Sequence, residues 1–284
     1  MPSHLGVFAA RKIANEPLAM ISLYDAPTAR LCCDAGVHAI LVGDSLGNVV
    51  LGYENTVSVS VEEMRIFTAA VARGAKGSSA PQTPVVADLP FGSYATTESA
   101  TRNTSELLRA GAHAVKLEGA GPNSLAAVRA VAEMGAPVMG HLGFTPQSAL
   151  RLGGVVQGKT AGAARKLMDD ARALQEAGCF AIVLEAVTSE VAAKITSELE
   201  ISTIGIGAGA GCDGQVLVWH DLAGLGEEKP FRFVRRFAQA HETLGAAARD
   251  YVHAVQSRAF PAEAHGWKMA PDELQKWDEE IGHG

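Results

Sequence analysis

Five ionisable residues of this chain stand in the same local context, at the end of a short apolar run. Asp44 follows Ala39–Val42 and Gly43, and Asp88 follows Pro84–Ala87. Glu118 follows Ala114–Leu117, His141 follows Pro137–Gly140, and Glu185 follows Ala181–Leu184. One such residue means little, but a series of them describes a sheet with chemistry loaded on one rim. Three carboxylates on neighbouring runs, Asp44, Asp88 and Glu118, with the Ser45 hydroxyl beside the first, suit a hard cation such as Mg2+. That ion takes oxygen ligands at about 2.0–2.1 Å and keeps waters or substrate oxygens in several positions. The competing explanation for either aspartate alone is capping of the helix that follows its strand.

Lys116 stands two residues before Glu118, so both side chains point to the same side of a strand. Carboxylates around it hold its pKa up, which favours binding an anionic substrate group over forming a Schiff base. A structural ion pair is the plainer alternative. Glu185 follows an unbroken apolar run, and a carboxylate in an apolar mouth is poised for proton transfer near neutral pH. Another helix cap, or a further ligand of the same metal, would be the duller role. His141 is placed to donate a hydrogen bond to a developing oxyanion or alcohol, unless it is simply a satisfied structural group.

These residues need a scaffold that gathers strand ends. Apolar runs alternate with helical spacing about eight times along the chain: runs near 18–23, 39–42, 84–88, 114–118, 137–141, 181–185, 202–206 and 216–219. Helical patterns fall between them, and Ser60–Glu63 reads as a capping box for one of these helices. Strand–helix alternation of this kind means a parallel sheet covered by helices. Eight units in this length favour a single-domain (β/α)8 TIM barrel over an open sheet, and such barrels assemble their sites at the C-terminal ends of the strands. Residues 1–16 read as a helical lead-in, 231–257 as a long amphipathic helix, and 260–284 as a polar tail that covers the barrel or a neighbouring subunit. The connection from Asn48 to Ser58 is long for a barrel turn and reads as a lid.

The chain of 284 residues is 48% hydrophobic, ample for one large core, and its formal net charge is −7 with scattered basic residues. Nucleic acid would need clustered Lys and Arg, and a membrane span would need about 18 or more apolar residues in a row. Neither is present. The N-terminus lacks a basic-then-apolar leader. Cys32, Cys33, Cys179 and Cys212 include no C-x-x-C pair and read as structural thiols of a reducing cytoplasm. Gly209–Gly214 matches G-x-G-x-x-G, but an apolar run follows it instead of a helix, so a dinucleotide site is not expected. A side-chain-free turn that leaves room for a ligand is the preferred reading.

Taken together, six segments resemble the ketopantoate hydroxymethyltransferase family: Val42–Gly47, Ala87–Phe91, Val115–Gly119, Gly140–Ser148, Val183–Glu185 and Ile204–Asp221. The likeness runs from about Ala19 to His265. It implies a (β/α)8 barrel, a homo-oligomer (a decamer in the family) and an Mg2+-dependent transfer from 5,10-methylenetetrahydrofolate to 2-oxoisovalerate. By the same likeness Asp44 and Asp88 hold metal and substrate, Ser45 and Lys116 touch the 2-oxo acid, Glu118 supports the metal and Glu185 is the base. Departures fall at Asn48, Val57–Ser58, Leu152–Lys159, Ala186–Thr188 and Ala264; none is a proposed ligand, and the resemblance places several of them where the folate or the substrate's alkyl group would rest. The alternative is a Mg2+-dependent 2-oxo acid lyase or mutase of the phosphoenolpyruvate mutase and isocitrate lyase group. A non-catalytic ligand-binding paralogue would not need the intact set of ionisable residues.

Overall fold

A computed structural model describes residues 4–151, 154–226 and 230–282. Each apolar run is a strand: β1 Leu18–Ser22, β2 Ala39–Val42, β3 Val85–Asp88, β4 Ala114–Glu118, β5 Val138–Gly143, β6 Cys179–Glu185, β7 Ser202–Ile206 and β8 Gly214–Val218. All pair in parallel with their sequence neighbours, and β8 returns to β1, which closes the barrel. The helices are α1 Gly6–Ala14, α2 Ala26–Asp34, α3 Leu46–Val49, α4 Val61–Lys76, α5 Thr97–Arg109 and α6 Pro122–Glu133. They continue with α7 Ala161–Glu176, α8 Ser189–Glu198, α9 Trp219–Ala223, α10 Ala240–Gln256 and α11 Pro271–Ile281.

Strand alternation splits the apolar residues into two cores. Leu18, Met20, Ala39, Leu41, Val86, Ala114, Met139, Val183 and Ile204 fill the barrel interior. Their neighbours, such as Ile40, Val42, Val85, Val115, Leu117 and Ile182, face the helices. The same parity sends Lys116 and Glu118 inward. Phe8 of α1 belongs to the interior core. Its ring meets Phe180 edge-on at 5.2 Å, and its carbonyl accepts from Ser202 Oγ at 2.9 Å. Both partners sit at strand starts, so the lead-in helix seals the N-terminal end of the barrel and leaves the other end open.

Helix starts are capped by the residues that local chemistry favours. Ser60 and Glu63 form the expected capping box on α4, and Thr96 and Ser99 form another on α5. Neither aspartate has the capping role that was its plainer alternative: Ser45 is the N-cap of α3 with no side-chain cap bond, Thr96 caps α5, and Asp44 Oδ2 accepts from Gln147 Nε2 at 2.8 Å.

Two expectations are corrected. The helix read over 231–257 begins only at Ala240. The preceding stretch is held by other contacts: Phe233 lies over Gly207 and stacks on Phe231, and the Phe237 amide donates to the Leu222 carbonyl at 2.7 Å. In the 48–58 connection Asn48 Nδ2 donates to the Tyr53 carbonyl at 3.0 Å and Tyr53 Oη to Glu63 at 2.5 Å. The Gly205–Gly214 turn leaves no room for a ligand. A Cβ at Gly209 would meet Ser189 Oγ at 2.4 Å, and one at Gly214 would meet the Leu18 carbonyl at 2.7 Å. These glycines allow close packing against α8 and β1.

The tail carries α11 without covering the barrel, and neither α10 nor α11 contains a buried residue. The four cysteines are free and buried. Leu152 and Gly153, which open the variant loop noted above, lie outside the described residues. Among the described residues, no helix is long and apolar enough to cross a membrane.

Candidate active site

The open end of the barrel holds one connected, nearly dry cluster. Asp88, Lys116, Glu118 and His141 project inward from β3, β4 and β5, and each is at most 5% exposed. Asp44 stands just past β2, where its amide donates to Asp88 Oδ2 at 3.0 Å. Lys116 Nζ lies 3.0 Å from Asp88 Oδ1 and 3.3 Å from His141 Nδ1. His141 spans two carboxylates, with Nδ1 3.3 Å from Glu118 Oε1 and Nε2 3.3 Å from Glu185 Oε2. Glu185, with its side chain 18% exposed, is the cluster's solvent-facing member. It sits beside an imidazole and at the edge of solvent, so the dry apolar mouth expected for it is absent.

Ser45 joins from the β2 side. Its Oγ is 2.8 Å from Tyr24 Oη, which is 3.1 Å from Ser22 Oγ. Gly43 makes this arrangement possible. A Cβ there would stand 2.9 Å from both serine hydroxyls and 3.6 Å from Asp88 Oδ2.

Gln147 ties the cluster together, and nothing in its sequence spacing singles it out. Its Nε2 donates to Asp44 Oδ2 at 2.8 Å and to the Leu89 carbonyl at 3.1 Å. Its amide donates to Glu118 Oε2 at 3.1 Å, and its Oε1 accepts from Tyr94 Oη at 2.6 Å. Gln147 lies in a 3-10 turn, Pro146–Arg151, that only the folded barrel brings over β2 and β3. Tyr24 was within reach of strand-end reasoning, since it follows β1; Tyr94, in the loop after β3, carried no such signal.

Burial dominates the electrostatics, and the charged neighbours set its outcome. Desolvation, then the charges of Asp88 and Glu118, pushes the Asp44 carboxyl up to about 8. Burial also raises Asp88, against the pull of Lys116. Burial works to lower the Lys116 ammonium, but Asp88, Glu118 and Asp44 together outweigh it and raise it. His141 is likewise opposed by burial and by Lys116, yet Glu118 and Glu185 lift it to about 9. At neutral pH the site therefore holds two cations, Lys116 and His141, while the Asp44 carboxyl keeps its proton.

The pair of Asp44 and Asp88 suits a divalent cation. Asp88 Oδ1 is buried with no hydrogen bond of good direction, despite its short ion-pair distance to Lys116. Asp44 keeps its proton up to about pH 8 because of burial first and then the charges of Asp88 and Glu118, both of which a cation beside it would offset. Among the described residues, no three His, Cys, Asp or Glu side chains form a ready-made metal site. The two oxygens of Glu118 face His141 and the Gln147 amide.

The fold and this rim define a (β/α)8 barrel with a buried lysine, a histidine and four carboxyl groups gathered at its mouth. A family model described as ketopantoate hydroxymethyltransferase matches residues 4–263. A 3-methyl-2-oxobutanoate hydroxymethyltransferase of Thermotoga neapolitana is 51% identical over 253 residues, 88% of this chain and 92% of that one. The protein of the same name from Gluconacetobacter diazotrophicus is 49% identical over 268 residues, 94% and 95% of the two chains. Among solved structures, 2,3-dimethylmalate lyase superposes with a TM-score of 0.58 at 19% identity, covering 99% and 98% of the chains. Phosphonopyruvate hydrolase in complex with oxalate and Mg2+ superposes with a TM-score of 0.60 at 13% identity, covering 99% and 97%. The two structures share the fold. The chain belongs to the ketopantoate hydroxymethyltransferase family.

Proposed function

We propose that this chain transfers a hydroxymethyl group from 5,10-methylenetetrahydrofolate to 3-methyl-2-oxobutanoate, with Asp44 and Asp88 holding a Mg2+ ion. The observation that carries the reading is the unbroken line of contacts from Asp44 through Asp88, Lys116 and His141 to Glu185, in a chain about half identical to named hydroxymethyltransferases over most of its length. A bound divalent cation would act as a Lewis acid on the keto oxygen, which makes a C3 proton removable. The Lys116 ammonium and the Ser45 hydroxyl bind and orient the substrate's carboxylate end. Glu118 keeps its place behind the metal pair through Gln147.

Glu185 accepts the C3 proton and is the member of the cluster open enough to meet substrate. His141, charged at neutral pH, lies against Glu185 and can return that proton to the product side. In the net reaction a C3–H bond is replaced by C3–CH2OH. Water supplies the hydroxyl oxygen, and the donor leaves as tetrahydrofolate. A homo-oligomer, a decamer by family likeness, and a cytoplasmic setting consistent with four free thiols complete the reading.

The first half of the reaction needs no folate, so it provides the test. Purified protein should exchange the C3 hydrogen of 3-methyl-2-oxobutanoate for deuterium only when Mg2+ is present. Glu185→Gln should remove that exchange. Exchange that persists in Glu185→Gln, or that ignores the metal, would take the base or the cation out of the mechanism.

A further inference from the structure

The Gln147 side chain has one orientation open to it, and that orientation fixes Asp44. Both hydrogens of its Nε2 are used, one on Asp44 Oδ2 at 2.8 Å and one on the Leu89 carbonyl at 3.1 Å. Its Oε1 takes the Tyr94 hydroxyl hydrogen at 2.6 Å. Turning the amide over would set its oxygen against two other acceptors and forfeit both bonds. The order of donors continues upstream. Tyr94 Oη accepts from the Glu118 amide at 3.4 Å, and the Gln147 amide returns to Glu118 Oε2 at 3.1 Å. A closed ring of hydrogen bonds thus runs from Glu118 to Tyr94 to Gln147 and back, with a branch that leaves it for Asp44.

The hold on Asp44 is one-sided. Oδ2 receives the Gln147 hydrogen, and among the described residues no donor reaches Oδ1. Asp88 repeats the pattern, because its Oδ2 accepts the Asp44 amide at 3.0 Å and its Oδ1 lacks a well-directed hydrogen bond. A clamp that served packing alone would tie both oxygens of a buried carboxyl, since a bare buried acceptor is costly. We infer that Gln147 and Tyr94 are positioning residues for the proposed cation. Gln147 holds the Asp44 carboxylate by Oδ2 so that Oδ1 is the oxygen it presents, and Tyr94 acts through Gln147 by keeping its amide the right way round. This role rests on the reading of Asp44 and Asp88 as the pair that holds Mg2+.

The physical basis is rotation. The terminal torsion of an aspartate is broad and soft, and a ligand frozen only on binding holds its partner less tightly than one already held. Gln147 is buried, so solvent does not compete for its donors. The turn Pro146–Arg151, which follows β5, therefore aims a carboxylate that follows β2, and the same residue pins Glu118 of β4 through its backbone. Hydrogen-bond partners of ligating groups typically account for about 10–100-fold in metal affinity.

Two variants separate this role from a merely structural one. Gln147→Met keeps the length of the side chain and the backbone bond to Glu118, and removes both donors to Asp44 and Leu89. Tyr94→Phe removes only a hydroxyl that bonds to neither aspartate. Each is titrated calorimetrically with Mg2+ alone, after circular dichroism in chelator has established that it is folded. Gln147→Met should raise the Mg2+ Kd about 10–100-fold. Tyr94→Phe, one hydrogen bond further away, should raise it about threefold to tenfold. The double variant should bind no more weakly than Gln147→Met, because Tyr94 then has nothing to orient. C3 exchange in Tyr94→Phe should recover at saturating Mg2+, which a general loosening of the barrel mouth would not allow. An unchanged Mg2+ Kd in the two folded variants, additive losses in the double variant, or exchange that saturating Mg2+ does not restore would overturn the assignment. If Gln147→Met does not fold, the Mg2+ Kd of Tyr94→Phe decides alone. An unmodified protein that binds no Mg2+ would strike the proposed cation instead.

Discussion

Replacing Asp44 by Asn should make the metal-free protein more stable while removing its chemistry. Asp44 is buried, and its carboxyl is raised from 3.8 to about 8 by desolvation and then by its acidic neighbours. A carboxyl whose folded value exceeds its unfolded one binds more protons in the folded state. Its contribution is fully present below about pH 4 and is lost as pH rises through about 8. Between those limits the penalty grows by about 1.36 kcal/mol per pH unit, which bounds it near roughly 5 kcal/mol at pH 8. Dielectric relaxation reduces such figures severalfold, to about 2 kcal/mol. That is roughly 4–8 °C in Tm for a chain of this size. The Asn carbonyl can still accept from Gln147 Nε2, so that hydrogen bond survives. The assay is thermal unfolding in chelator from pH 5 to pH 8. The variant's advantage should widen toward pH 8, and added Mg2+ should raise the Tm of the unmodified protein and close the gap. A variant less stable than the parent at pH 8 in chelator, or a difference independent of pH, would refute the electrostatic account.

Two further outcomes follow from the same geometry. Gly143 has φ +96°, and a Cβ there would sit 2.1 Å from the Glu185 carbonyl oxygen; Gly143→Ala should cost at least about 2 kcal/mol and suppress C3 exchange, and a variant with the parent's denaturation midpoint and exchange rate would dismiss the steric argument. His141 is raised from 6.5 to about 9 by Glu118 and Glu185 against the opposing effect of burial. Its stabilising charge is therefore fully present below about pH 6.5 and lost as pH rises through about 9. The Tm difference between the parent and His141→Gln should shrink over that window, and a flat difference from pH 6 to pH 10 would contradict it.

Much of this protein is written locally. Strand parity alone put Lys116 and Glu118 on one face, and the apolar runs ending in Asp44, Asp88, Glu118, His141 and Glu185 marked eight-fold alternation and one loaded rim. Those features are legible because they depend on a two-residue strand period and on short-range capping, both carried by contiguous residues. The contacts that turn the rim into a site are not of that kind. Gln147 lies 103 positions from Asp44, and the Glu118–His141–Glu185 bridge crosses three strands. Only closure of the barrel sets those distances. The same closure decided that the Gly205–Gly214 glycines serve packing, because what fills their space is α8 and β1. It also decided that Glu185 faces an imidazole at the solvent edge. Residue type and period are properties of neighbouring positions, whereas the field and the room around a side chain belong to whatever the fold brings against it.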